Sequence, residues 1–212
     1  MKQKVFREIG ESYDRVAKEY AQHLFKELDN KPLDRQLLKQ FADEVRGRGE
    51  VCDTGCGPGH VAGYLHDLGI EVFGIDLSPG MVEQAAQLNR NIQFRVGDMM
   101  ALDIPNEALA GIVAFYAIVN IPAEFHARLF AELARALQAD GLLLLAFHVG
   151  DEIIHPEELW GQRIAMDFFY FELPAIRHQL ESAGFRIEDV VEREPYAPEV
   201  EHQSRRAYIF AC

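Results

Sequence analysis

Three carboxylates, Asp53, Asp76 and Asp98, each close a short apolar run, in "EVCD", "GID" and "RVGD". Between the first two lies a turn, "DTGCGPGH", that carries Gly55, Gly57 and Gly59. Glycines there let a ligand lie against the main chain with no Cβ in the way, and a helix start beyond adds unpaired N–H groups. An acid at the second strand end commonly accepts both hydroxyls of a ribose. An acid at the third can take a hydrogen bond from the exocyclic amine of a base. Asp53 stands where a dinucleotide would put its pyrophosphate, so it favours a cationic group instead. The three acids together describe a nucleoside whose remaining group is positive. A dinucleotide site wants G-x-G-x-x-G, whereas these glycines alternate and His60 follows them. Cys52 and Cys56 are four apart with no second Cys/His pair at ligand spacing, which argues against a metal site. An odd total of three cysteines points to a reducing compartment.

Side chains so placed need strand ends to hold them. Ile9, Tyr13, Val16, Tyr20 and Leu24 recur at helical spacing, and Leu33, Leu37, Leu38, Phe41 and Val45 form a second stripe. Residues 1–46 therefore read as a helical cap. Seven apolar runs follow, near 50–53, 71–75, 92–97, 111–117, 141–148, 186–191 and 206–211. Helical segments at 59–68, 79–89, 123–138 and 173–183 separate most of them. Such alternation implies right-handed crossovers onto an α/β, doubly wound, mostly parallel seven-stranded sheet, which binds ligands at its carboxyl edge. The expectation is one domain over 1–212, with 149–172 as a substrate-side insert. Both N-terminal helices and this insert are expected to roof the strand ends and enclose a pocket.

The chain has 212 residues and a formal charge of -13, from 34 acids against 21 bases. That balance repels a phosphate backbone, so nucleic acid is not an expected partner. The longest apolar runs, "ALAGIVAFYAIV" and "LLLLAF", fall short of the ~20 residues of a membrane span. "MKQKVFREIGESYD" lacks the apolar stretch of a signal peptide, so a cytoplasmic protein is expected.

Over essentially its whole length the sequence resembles the class I S-adenosylmethionine-dependent methyltransferases, small-molecule branch. "VCDTGCGPG" is similar to the family's glycine-rich loop, "GIDLSPGMVEQA" to its ribose-binding strand end, and "RVGDMMALDIP" to its adenine-binding segment. "AGIVAFYAIVNIP" and "LARALQADGLLLLAFH" resemble the fourth strand and the helix, turn and fifth strand, and "SYDRVAKEYA" the N-terminal cap. The resemblance implies a Rossmann-like fold and S-adenosylmethionine as cofactor, with S-adenosylhomocysteine as product. It places the Gly55, Cys56, Gly57 and Gly59 backbone against the methionine part and Asp76 on the ribose. Leu77 and Met81 would flank the adenine, Asp98 would take its amine, and the Met99 main chain would face the ring. Phe115 would lie near the methionine amine or sulfonium, with Tyr13 and Tyr20 closing over the carboxylate. Two departures stand out. Ala110 and Gly111 replace an acid that often opens the fourth strand, a difference read as superficial, and Asn120 stands where many relatives have a histidine.

The implied activity is methyl transfer to an N, O or S atom of a small molecule or a short peptide end. Tyr116, Asn120 and His148 follow strands that end at the cofactor and are the acceptor-side candidates. A protein that holds the cofactor without turnover is the alternative, and an NAD-binding oxidoreductase a more distant one. "DFFYF" at 167–171 reads as core, the histidines read as structural, and Arg205 and Arg206 read as surface charge. Acceptor identity and oligomeric state stay open at this level.

Overall fold

The computed structural model describes residues 2–212. Its centre is a seven-stranded sheet in the order β3-β2-β1-β4-β5-β11-β10. The strands are β1 (Val51–Thr54), β2 (Val72–Asp76), β3 (Gln93–Val96), β4 (Leu109–Phe115), β5 (Leu137–Val149), β10 (Ile187–Arg193) and β11 (Arg205–Ala211). The first five run parallel, whereas β11 is antiparallel to both neighbours. All seven apolar runs of the sequence are strands, and strand order reverses between β1 and β4, where the sheet opens a crevice at its carboxyl edge. Full burial explains why β4, "LAGIVAF", shows no polar alternation.

Helices cover both faces. On one, α2 (Pro32–Val45) and α3 (His60–Asp67) bring Leu37, Phe41, Val61 and Leu65 against Val51, Val113 and Leu144. On the other, α5 (His126–Ala136) and α6 (Leu173–Ser182) pack Leu129, Leu133, Ile176 and Leu180 onto Ile112, Leu143 and Ile209. The expectation that both N-terminal helices roof the strand ends holds for α1 (Lys2–Leu24) alone; α2 is a sheet-flanking helix, because its stripe of Leu37, Leu38 and Phe41 is fully committed to the core. Ala110 and Gly111 are likewise not superficial. Both are buried, and a Cβ on Gly111 would lie 2.6 Å from the Phe41 ring, so the missing acid makes room for α2.

Local chemistry starts α4 (Pro79–Leu88): Ser78 caps it by accepting from Met81 N at 3.0 Å, and Pro79 occupies the first turn. Asp14 on α1 accepts from Ser78 Oγ at 2.5 Å and Gly80 N at 2.8 Å, which ties the roof to that cap. The segment 149–172 forms four short strands, β6 (Ile153–Ile154) paired with β9 (Phe168–Phe169) and β7 (Glu158–Leu159) paired with β8 (Gln162–Arg163). It is fastened to α1: Arg15 Nε donates to Arg163 O at 2.9 Å and Ala165 N to Ser12 Oγ at 2.9 Å. Among the described residues no helix is long and apolar enough to cross a membrane.

Candidate functional site

Roof, insert and strand ends line a cavity of about 480 Å³ that is partly open to solvent. Fourteen of the sixteen residues singled out in the sequence line it: Tyr13 and Tyr20 from α1, Gly55, Cys56 and Gly57 from the loop after β1, Asp76, Leu77 and Met81 around the start of α4, Asp98 and Met99 after β3, and Phe115, Tyr116, Asn120 and His148 beyond β4 and β5. Asp53 and Gly59 lie outside its wall.

The loop leaves β1 through hydrogen bonds from Gly55 N and Cys56 N to Ile75 O, at 2.7 and 3.0 Å. Gly55 has φ +67° and a Cβ there would meet Ala117 at 2.6 Å, so the loop lies flat on the strand ends. At Gly57, φ +52°, the nearest atom to such a Cβ is on Tyr20, 3.8 Å away, across the cavity. Asp76 Oδ2 accepts from Gly57 N at 2.8 Å and Oδ1 from Ser78 N at 2.9 Å. A carboxylate offers about four acceptor positions, so each oxygen keeps one. Burial raises the Asp76 pKa and its backbone donors oppose that rise. Asp98 Oδ1 accepts from Met100 N at 2.9 Å, which fixes the carboxylate on the same rim.

Asp53 instead works below the floor. It is 1% exposed, and Oδ2 accepts from Ala62 N at 3.0 Å, joining β1 to the first turn of α3. Burial pushes its pKa up to about 7. The folded state therefore keeps a proton that the unfolded chain releases near pH 4, so this residue's contribution to stability falls as pH rises from about 4 to about 7. Asp53→Asn is expected to lack that slope, so the wild-type minus variant difference in denaturation free energy should fall as pH rises across this range; a difference that does not change with pH would place the Asp53 carboxyl in a more polar setting.

Across the cavity from the loop, Tyr13 donates to Asn120 Oδ1 at 2.5 Å, while Asn120 Nδ2 donates to Asp167 O at 2.7 Å. Asn120 thus joins roof, β4 loop and insert. Burial, with Asp76 adding, raises the Tyr13 pKa strongly, so the phenol stays protonated. Tyr20 meets Trp160 of the insert edge-on at 5.6 Å and Tyr13 at 6.0 Å. In "DFFYF" the expectation of core is half corrected: Phe168 and Tyr170 line the cavity and Phe169 and Phe171 pack inward, as a strand's alternation dictates.

The sequence reading missed the cavity's polar end. Arg206 is not surface charge but 2% exposed, because the register of β11 against β5 sets it beside His148. Arg205, next to it, is exposed and bridges Glu192. Lys31, 3% exposed, donates to Glu27 at 2.7 Å, and Glu27 Oε1 lies 2.9 Å from His60 Nε2. Glu201 accepts from Arg193 Nη1 at 2.5 Å, Arg193 Nη2 at 3.0 Å and Tyr196 N at 2.7 Å. His60 and His202, read as structural, also line the cavity beside the acceptor-side candidate His148. His148 Nδ1 lies 2.6 Å from Ser204 Oγ and its ring stacks on Tyr170 at 5.2 Å. Burial, then the cations Arg206 and Lys31 among others, lower its pKa to about 3.

Residues 51–141, which supply the loop and all three acids, match the family model described as "Methyltransferase domain". Over that segment the chain is similar to methyltransferase domains. The malonyl-[acyl-carrier protein] O-methyltransferase of Serratia marcescens is 26% identical over 167 residues, which are 74% of this chain and 63% of that protein. The chain thus spans less than two thirds of that relative's length. A crystal structure of an S-adenosylmethionine-dependent methyltransferase from Methanosarcina mazei superposes with a TM-score of 0.69 at 16% identity, over 76% of this chain and 91% of that one. The [4+2]-cyclase SpnF superposes at 0.62 with 20% identity, over 84% and 79%. At such identities the likeness concerns the fold alone. S-adenosylmethionine is the cofactor of this domain family, and the residues present fit it: a Cβ-free approach at Gly57, two spare acceptor positions on Asp76, and an apolar bracket of Leu77 and Met81 between the two acids of the rim.

Proposed function

We propose that the protein transfers a methyl group from S-adenosylmethionine to an N, O or S atom of a small molecule or short peptide end. The supporting observation is one cavity that joins an acidic rim, Asp76 and Asp98, to a separate aromatic and polar half around Tyr116, Asn120, His148 and Tyr170. When bound, the cofactor supplies an electrophilic methyl carbon on a sulfonium.

The chain's own residues bind and orient. Asp76 accepts the ribose hydroxyls through its spare positions, Asp98 takes the adenine amine, and Leu77 and Met81 hold the base. Phe115 and the Gly55–Gly57 backbone flank the methionine part, with Tyr13 and Tyr20 overhead. Tyr13 is a fixed donor to Asn120, not a base, because its phenol stays protonated. His148 remains neutral with a low pKa and is a poor proton acceptor. Catalysis rests on placement, worth as much as ~7 to 11 kcal/mol, with an acceptor atom that is nucleophilic without a strong base. The name of the Serratia marcescens relative, an O-methyltransferase, is compatible with such an acceptor.

A binding protein without turnover is the second reading, because a fold by itself does not fix an activity. Calorimetry with S-adenosylhomocysteine and NAD, followed by transfer of labelled methyl to pools of amines, thiols, phenols and carboxylates, separates the readings. The expected result is 1:1 binding of the homocysteine product, no heat with NAD, and label in a small-molecule pool. Binding without label in any pool supports the second reading, and NAD binding overturns both. Nucleic acid is no substrate in this proposal: mixed tRNA, rRNA and duplex DNA at low salt, where electrostatic affinity is greatest, should take no label.

A further inference from the structure

We infer that the acceptor carries a carboxylate, which seats at the polar end of the cavity against Arg206 and Lys31. This inference rests on the methyltransferase reading and names the substrate class of that same site.

Both cations line the cavity and are almost wholly withdrawn from solvent. Of the five N–H groups of a guanidinium, those of Arg206 Nη1 reach His202 O, Ser204 O and Ser204 Oγ, and Nη2 reaches His202 O. Its buried Nε has no hydrogen-bond partner among the described residues, although Glu201 Oε2 lies 3.2 Å away, out of line for a bond. Glu201 is already committed, both of its oxygens accepting from Arg193. Lys31 shares that oxygen at 3.4 Å, and its closer partner, Glu27, also holds His60. Glu27 and Glu201 are thus each divided between two or more cationic or imidazole groups and Asp34 is paired with Arg193 at 3.0 Å, while Arg206 Nε lacks an aligned acceptor.

A buried cation without a full partner is costly to the fold, and a ligand anion offsets that cost. Arginine matches the planar, two-oxygen geometry of a carboxylate better than any other side chain. The ring faces nearby suit the rest of such a molecule: the guanidinium lies 5.5 Å from the Tyr116 ring centre and Lys31 Nζ 5.7 Å from it, with Tyr170 stacked on His148 alongside.

The test is calorimetry of the full chain saturated with S-adenosylhomocysteine, titrated with matched pairs: phenylacetate and phenylacetamide, 3-phenylpropionate and 3-phenylpropionamide, hexanoate and hexanamide. At least one carboxylate should bind about tenfold or more tightly than its amide, a difference of about 1.4 kcal/mol. The preference should shrink to less than about threefold in Arg206→Met and narrow in Lys31→Met, with Arg206→Lys retaining part of it. Thermal melts check that each variant folds, and if Arg206→Met does not, Lys31→Met and Arg206→Lys carry the comparison. Equal binding of acid and amide by the wild type, no binding of any carboxylate, or a preference undiminished in the folded variants would overturn the inference. Failure of S-adenosylhomocysteine itself to bind would instead overturn the reading beneath it.

Discussion

Asp76→Ala is expected to weaken S-adenosylhomocysteine binding about 100-fold with the fold intact. Asp76 holds the glycine loop and the start of α4 through Gly57 N and Ser78 N, and it offers the ribose one further acceptor position on each oxygen. Hydrogen bonds to a charged acceptor contribute about 1.5 to 3 kcal/mol each. Two of them lost give at least about 3 kcal/mol, and 1.4 kcal/mol is tenfold in affinity. Of the two amides released by the substitution, that of Gly57 lies on the cavity wall while Ser78 is buried, so the melting temperature should fall modestly and the affinity by more. Asp76→Asn keeps one acceptor oxygen and should fall between the two. Calorimetry of the three proteins decides the matter: undiminished binding in Asp76→Ala would mean that the ribose sits elsewhere.

The largest effect on stability is expected at Glu201, far from the cofactor motifs. Glu201→Ala removes the acceptor of two Arg193 bonds and one from Tyr196 N, and it strips Lys31 and Arg206 of a neighbouring anion. Breaking a buried pair from one side costs about 3 to 5 kcal/mol, because the opposite charge stays behind without compensation. Asp34 remains to hold Arg193 Nη2 at 3.0 Å, which places the expected loss toward the lower end. Urea denaturation should show the midpoint falling with little change of slope; a loss under about 1 kcal/mol would mean that solvent reaches the cluster.

The same cluster sets the acid response. Burial pushes the Glu27 and Glu201 carboxyls up, but His60 and Lys31 at the first and Arg193 and the Tyr196 amide at the second outweigh it and hold both at about 2. Each therefore contributes stability that is full above its ordinary value near 4.5 and is lost as pH falls toward about 2.

The half of the site proposed to hold the cofactor was legible because its information is local. Strand, turn and helix start are contiguous in "VCDTGCGPGH" and "GIDLSPGM", so Gly57, Asp76, Leu77 and Met81 are positioned by their own neighbours, with Ser78 and Pro79 marking where α4 begins. The inner strands β1, β2, β4, β5 and β11 were legible because each holds an apolar run buried on the sheet, whereas the edge strands β3 and β10 are exposed or half-buried.

The polar half was decided only by the tertiary structure. Lys31, Glu201 and Arg206 are 170 residues or more apart between first and last, and each alone looks like ordinary surface charge. Strand β11 is buried on both faces, so "RRAYIFA" has no alternation to say which arginine points inward; its pairing with β5 sets Arg206 opposite His148. Asp53 shows the converse: its place at a strand end was readable, but the direction of its carboxylate, toward Ala62 N beneath the loop, depends on how α3 packs. Sequence by itself determined the strand ends and the acidic rim proposed to hold the nucleoside, since short-range geometry places those groups. Register and helix packing determined which charges were withdrawn from water, since burial is a property of the assembled layers and not of any segment alone.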